Sequence, residues 1–189
     1  MNINKTNIIG FVRAYPYFFV VMSLLIGGVY KIPSLLFLVV LIIGSSMINS
    51  KFTKPLVLQV CKYFTLETLA LRPKGANNCG PFIDENRPKL SSTSYGMPSG
   101  HSLEAMLISF FLIMYVHKHS EKGIQTNILI VTIFLIGLSI CISRVVLGCH
   151  TILQIIIGGL LGSIIGYYGF ILWETTLQPI FMNTNDTQT

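Results

Sequence analysis

Residues 143–173, SRVVLGCHTILQIIIGGLLGSIIGYYGFILW, decide how this chain folds. From Ile152 to Trp173 the run holds only apolar, small and neutral polar residues, and about 20 such residues cross the ~30 Å hydrocarbon core of a bilayer as one helix. Just ahead of it, Arg144 and His150 stand where a second apolar segment gives way to a short turn. Ionisable side chains at membrane depth are costly and mark functional sites by default. Gly158, Gly162 and Gly166 recur on the same helical line as His150 and Gln154, and glycines at this spacing let helix backbones approach closely in lipid. The His150–Gln154 face is therefore expected to look into a bundle.

The rest of the chain has the same character. Of its 189 residues 52% are hydrophobic and 11% charged, a composition that points to an integral membrane protein. The length leaves room for about six spans of roughly 20 residues, expected at 8–30, 32–48, 52–71, 102–117, 127–143 and 152–173. They would form one all-α domain, an integral membrane six-helix bundle over residues 1–176, with a polar tail at 177–189. The third segment is the exception, because Lys54, Gln59, Lys62 and Glu67 interrupt it. It is either a crossing whose polar face turns inward or an amphipathic helix at the interface. A crossing makes the later spans alternate and is the favoured reading. It gathers the polar segments on one face and leaves both termini, with Lys5, Arg13, Lys51, Lys54, Lys118 and Lys122, on the other. By the positive-inside rule the termini would then be cytoplasmic and the site would face the lumen or exterior.

The formal charge of +6 is scattered along the chain, which speaks against a nucleic-acid partner. Cys61 and Cys141 lie in apolar surroundings. Cys79 and Cys149 fall on one side of the membrane, where a disulfide is possible but two free thiols are favoured. Histidines without clustered cysteines or carboxylates give no metal site. Lys5 and Arg13 ahead of an apolar run imitate a signal peptide, but without a small-residue cleavage pattern the segment reads as a first helix.

Three motifs carry the chemistry: Arg72-Pro73-Lys74, YGMPSGHS at 95–102, and Ser143-Arg144 with His150 beyond it. A phosphoryl group in transfer needs fixed cations and aligned N–H donors around its oxygens. Arg72 and Arg144 suit that need, since a guanidinium is always charged and binds two oxygens at once. Ser99 and Gly100 immediately precede a helix, whose free N–H groups and dipole form an anion site.

In this order and placement the motifs resemble the superfamily of type 2 phosphatidic acid phosphatases and vanadium-dependent haloperoxidases, over roughly 52–168. The resemblance implies a helical membrane phosphatase for lipid phosphates with no metal and no cofactor. It implies that His150 is the nucleophile forming a phosphohistidine, that His101 protonates the leaving oxygen, and that Arg72, Arg144, Ser99 and Gly100 hold the phosphate. Ser143 would bond a phosphate oxygen or only cap its turn. The motif details look most like dolichyl or polyprenyl diphosphate phosphatases, with phosphatidate or another glycerolipid phosphate as the alternative substrate. There are two departures from the family pattern. Gln154 stands where the family has an Asp that orients the nucleophile; its carbonyl can fix the tautomer without supplying charge. Thr65 stands where the family has a Lys. Lys62 lies about 80° around the helix from that line, so Lys74 is the candidate to supply the missing cation. A catalytically silent lipid-binding member is the remaining reading. Glu104, one turn beyond His101, would orient that imidazole or simply favour the helix start.

Overall fold

The computed structural model describes residues 5–77 and 94–181, and among these the chain is helical apart from turns and one isolated bridge. Helix α1 runs over Lys5–Val29 and α2 over Pro33–Ile48. A π-turn at Asn49–Thr53 leads straight into α3, Lys54–Tyr63, and a short α4 covers Glu67–Ala70. Three further helices follow: α5 at Gly100–His119, α6 at Ile124–Val146 and α7 at Ile152–Leu172. A second π-turn, Trp173–Leu177, carries α7 on, so that the apolar helix reaches Phe181 and the first residues of the expected polar tail are helical.

Five helices among the described residues are long and apolar enough to cross a membrane. The segment expected as a separate third crossing is instead the continuation of α2, and Pro33–Tyr63 forms a single 31-residue run. At 1.5 Å per residue such a run is about 46 Å long, well beyond the ~30 Å apolar core. Its polar half, which has no buried residue in α3, therefore projects past the bilayer instead of returning through it. The consequence is topological. The start of α1 lies at the site end of the bundle, and Arg13, Lys51 and Lys54 join the site face instead of the opposite one. The two ends of the described chain fall on opposite faces, and the charge count that favoured cytoplasmic termini no longer holds. Lys118 and Lys122 stay on the far side, where His119 Nε2 meets Glu174 Oε1 at 2.9 Å.

Helix α5 is the centre of the bundle, buried almost continuously from Ser102 to Ser109 and again at Phe111. At its far end Phe37, Phe111, Phe170 and Trp173 interlock with ring centroids 5.6–6.2 Å apart. The outer faces of α1 and α6 expose Val21, Leu25, Ile128 and Leu135, as lipid contact requires. The glycine line of α7 packs on α5 as expected. A Cβ at Gly158, Gly162 or Gly166 would run into the backbone carbonyl oxygen of Ser99, Leu103 or Leu107 respectively. Because those atoms are backbone, they cannot rotate away. Gly162→Ala is expected to destabilise the bundle by about 1–3 kcal/mol as an overpacking substitution, seen as a lowered melting temperature in detergent. Gly10→Ala, which meets no atom within 4 Å, should leave it unchanged.

Candidate active site

The site is built where the ends of α2 and α6 meet the starts of α1, α5 and α7. After α4 the chain bridges Leu71 to Tyr95, and Arg72 N–H donates to Ser94 O at 3.1 Å. This pairing turns Arg72 toward the α6–α7 turn, where Nη1 donates to Cys149 O at 3.2 Å and Nε to Tyr95 O at 3.4 Å. Arg144, at the end of α6, is fully buried. Its Nε donates to Ser143 Oγ at 3.2 Å and its Nη2 to Val12 O at 3.0 Å, while Nη1 is buried without a partner among the described residues. Two corners of the fork are pinned and the third is a donor with no partner among the described residues. Ser143 donates its own hydrogen to Ile140 O, so its hydroxyl orients Arg144.

Gln154 resolves the tautomer of His150. Its Nε2 donates to Leu71 O at 2.7 Å and Leu69 O at 3.1 Å, and its Oε1 lies 3.0 Å from His150 Nδ1 and 3.3 Å from Thr151 N. Carbonyl oxygens only accept and the Thr151 N–H only donates, so the amide has one orientation that satisfies all four neighbours. His150 Nδ1 must therefore carry the hydrogen, and Nε2 keeps the lone pair. Gln154 also closes a capping box with Thr151 at the start of α7, the reciprocal arrangement legible as Thr-x-x-Gln. His150 is only 5% exposed. Burial, and then the nearby Arg72 charge, pushes its pKa down to about 3, against the hydrogen bond to Gln154. It is a neutral imidazole.

His101 lies in the first turn of α5, where Nε2 is 3.1 Å from the Arg13 carbonyl. That oxygen can only accept, so Nε2 carries a hydrogen and Nδ1 is left to exchange the other. Glu104 does not hold this ring; it is hydrogen-bonded to Ser46 and interacts electrostatically with Lys54 and Arg144. Ser99 caps α5 and is fully buried, and its N–H donates to Gln154 O at 3.1 Å. The expected phosphate donor at Ser99 is thus already engaged. The next N–H groups, of Gly100 and His101, are the ones that the first turn of a helix leaves without an intrahelical acceptor. A Cβ on Gly100 would meet only Asn49 Nδ2, at 3.6 Å, so open space lies beside this turn.

Lys74 is exposed in the turn closed by Ala76 N–H on Pro73 O, and Lys62 is exposed on α3. Thr65 is also exposed, in the break after α3 with a φ of 58°. The lysine that the structure brings to the site is Lys54, which interacts electrostatically with His101, His150 and Arg72. The π-turn explains how. A π-helical turn closes i to i+5 and so holds one more residue than an α-turn, and Lys54 N–H bonds to Asn49 O. Lys54 rather than Thr53 therefore stacks one turn beyond Asn49, a buried residue on the bundle-facing line of α2. A charged residue in an otherwise apolar run was the available signal, but a regular helical wheel hides its direction.

Cys61 and Cys141 are free and Cys149 is disulfide-bonded, contrary to the favoured reading of a thiol there. Asn77 ties the 72–77 segment to the turn before His150: its N–H donates to Gly148 O at 3.1 Å and its side chain to Leu147 O at 2.8 Å. Cys79 lies outside the described residues.

The chain is 30% identical to human (Homo sapiens) Dolichyldiphosphatase 1 over 97 residues, which is 47% of this chain and 41% of the relative. It is 31% identical to Dolichyldiphosphatase 1 of Dictyostelium discoideum over 115 residues, 53% of this chain and 49% of that one. The chain thus spans less than half the length of these curated relatives. No solved structure matches it. The family model of the PAP2 superfamily matches residues 34–177, from α2 through the second π-turn and including Lys54, Arg72, His101, Arg144 and His150, and the chain belongs to that superfamily.

Proposed function

We propose that the chain is a membrane lipid phosphatase that hydrolyses a polyprenyl, dolichyl-type diphosphate through a phosphohistidine on His150. The observation that carries the reading is one of charge. Arg13, Lys54, Arg72 and Arg144 interact with one another or with the two imidazoles, and among the described residues Glu104 is the only carboxylate among their electrostatic partners. Cations held this close in a buried region call for an anion between them. A diphosphate carries more charge than a monoester and fits that excess better.

In this reading the lone pair on His150 Nε2 attacks the terminal phosphorus, and the P–O bond to the lipid phosphate breaks. His101 delivers its Nδ1 proton to the leaving oxygen. Water then attacks the phosphohistidine while His101 takes up its proton, phosphate leaves, and the His150 lone pair returns. Arg144 Nη1, Lys54, Arg72 and the Gly100 and His101 N–H groups stabilise the equatorial oxygens. A cavity of about 340 Å³ supports a lipid substrate. It is lined by Val40, Leu41, Gly44, Ile48, Leu161 and Ile165, and it includes Asn49 at the site end.

The test is phosphate release by the purified protein from a polyprenyl diphosphate and from phosphatidate in mixed micelles. The diphosphate is expected to be preferred by at least about tenfold in kcat/KM, or roughly 1.4 kcal/mol of transition-state binding. Turnover of phosphatidate alone makes the protein a glycerolipid phosphatase. No turnover of either leaves a silent lipid-binding member.

A further inference from the structure

Helix α1 lies outside the segment matched by the family, yet two of its backbone carbonyls hold catalytic side chains. Val12 O accepts Arg144 Nη2 at 3.0 Å, and the next carbonyl, Arg13 O, accepts His101 Nε2 at 3.1 Å. Carbonyls inside a helix ordinarily bind the N–H four residues on. For Val12 that residue is Pro16, which lies inside α1 and is buried. Proline has no N–H, and its ring crowds the carbonyl four residues back, tilting it away from the helix axis. The acceptor missing from the helix ladder is the one that Arg144 uses.

We propose that Pro16 is a positioning residue of the active site, freeing the Val12 carbonyl to pin Arg144 and opening the adjoining Arg13 carbonyl to His101. With Nε on Ser143 and Nη2 on Val12, rotation of the Arg144 guanidinium is blocked and Nη1 is the corner left for a phosphate oxygen. His101 gains a fixed tautomer from the same turn. One proline in the first helix thus orients both a phosphate-binding cation and the proton donor. The inference rests on the phosphatase reading above.

The test is Pro16→Ala, with Pro16→Val as a second restoration of the N–H and Gly10→Ala as a control on the same helix. The readouts are kcat and KM on a short-chain polyprenyl diphosphate and Ki for vanadate, whose trigonal-bipyramidal complexes mimic phosphoryl transfer. Both Pro16 variants are expected to lower kcat about tenfold and raise the vanadate Ki similarly, with KM held within about twofold, since the lost alignment matters most in the transition state. The ratio of Ki to KM does not depend on the fraction of folded protein, so partial unfolding cannot produce this result. Alanine and valine are better helix formers than proline, and a melting temperature at or above wild type is expected. Variants with the wild-type Ki-to-KM ratio and kcat overturn the inference and leave the phosphatase reading standing. A wild type that turns over no lipid phosphate or diphosphate overturns both.

Discussion

His150→Ala is expected to abolish phosphate release, lowering kcat by on the order of 10³-fold or more, while leaving the melting temperature near that of wild type. The size follows from role: removing a nucleophile removes the covalent route itself, whereas removing one clamp leaves the rest of the site working. Among the described residues the ring is held from one side, by Gln154 Oε1 on Nδ1, and its loss does not unfasten the Gln154 amide from Leu69 and Leu71. Because its pKa lies at about 3, the imidazole stays the free base as pH falls from about 8 to 5. Protonation of the nucleophile therefore does not limit the rate over that range, and any acid-side loss of kcat/KM comes from another group. Rapid quenching of wild type with a substrate labelled in the terminal phosphate should trap an acid-labile, base-stable protein adduct that the variant lacks. A His150→Ala protein as active as wild type would remove the phosphohistidine step and place the nucleophile elsewhere.

Much of this site was legible because its residues are anomalies against an apolar background. Arg144 and His150 at a span boundary, the Arg72-Pro73 pair and the Ser99–His101 turn are neighbours in the fold. The glycine line of α7 had a direction that its contacts with α5 reproduce. What could not be read is of a different physical kind. The π-turn at Asn49–Thr53 adds a residue to one helical turn, and a period of 3.6 applied to the same letters sends Lys54 to the wrong place. The polar content of 52–71 resembled an inward-facing crossing because composition does not say whether a helix stops at the bilayer edge or projects past it. Ser99 N–H and Ser143 Oγ have the right chemistry for phosphate, but both are engaged by neighbours that only the folded chain brings near. The roles of Val12 and Arg13 belong to carbonyls, which every residue has, and the residue that frees one of them is four positions away.

Gln154→Asp, which restores the residue found in the family pattern, is expected to lower activity by about 10²-fold rather than raise it, the upper range for loss of a group that orients a catalytic ligand. Gln154 is fully buried, and its amide nitrogen faces two carbonyl oxygens, Leu69 O and Leu71 O. A carboxylate has no hydrogen to offer either of them, so the substitution turns two hydrogen bonds into repulsive contacts beside a buried charge. The shorter side chain also retracts from Thr151 N–H, opening the capping box at the start of α7. Stability should fall by at least about 1–3 kcal/mol, the cost of leaving buried carbonyls unsatisfied. Gln154→Ala should lose the tautomer control with less electrostatic penalty, and so be impaired in kcat but more stable than Gln154→Asp. The order that matters is wild type above Ala above Asp in melting temperature, with both variants low in kcat/KM. An Asp variant at least as active as wild type would mean that the 69–71 carbonyls can turn away, and that Gln154 is a tolerated departure rather than one required by the strand of chain packed against it.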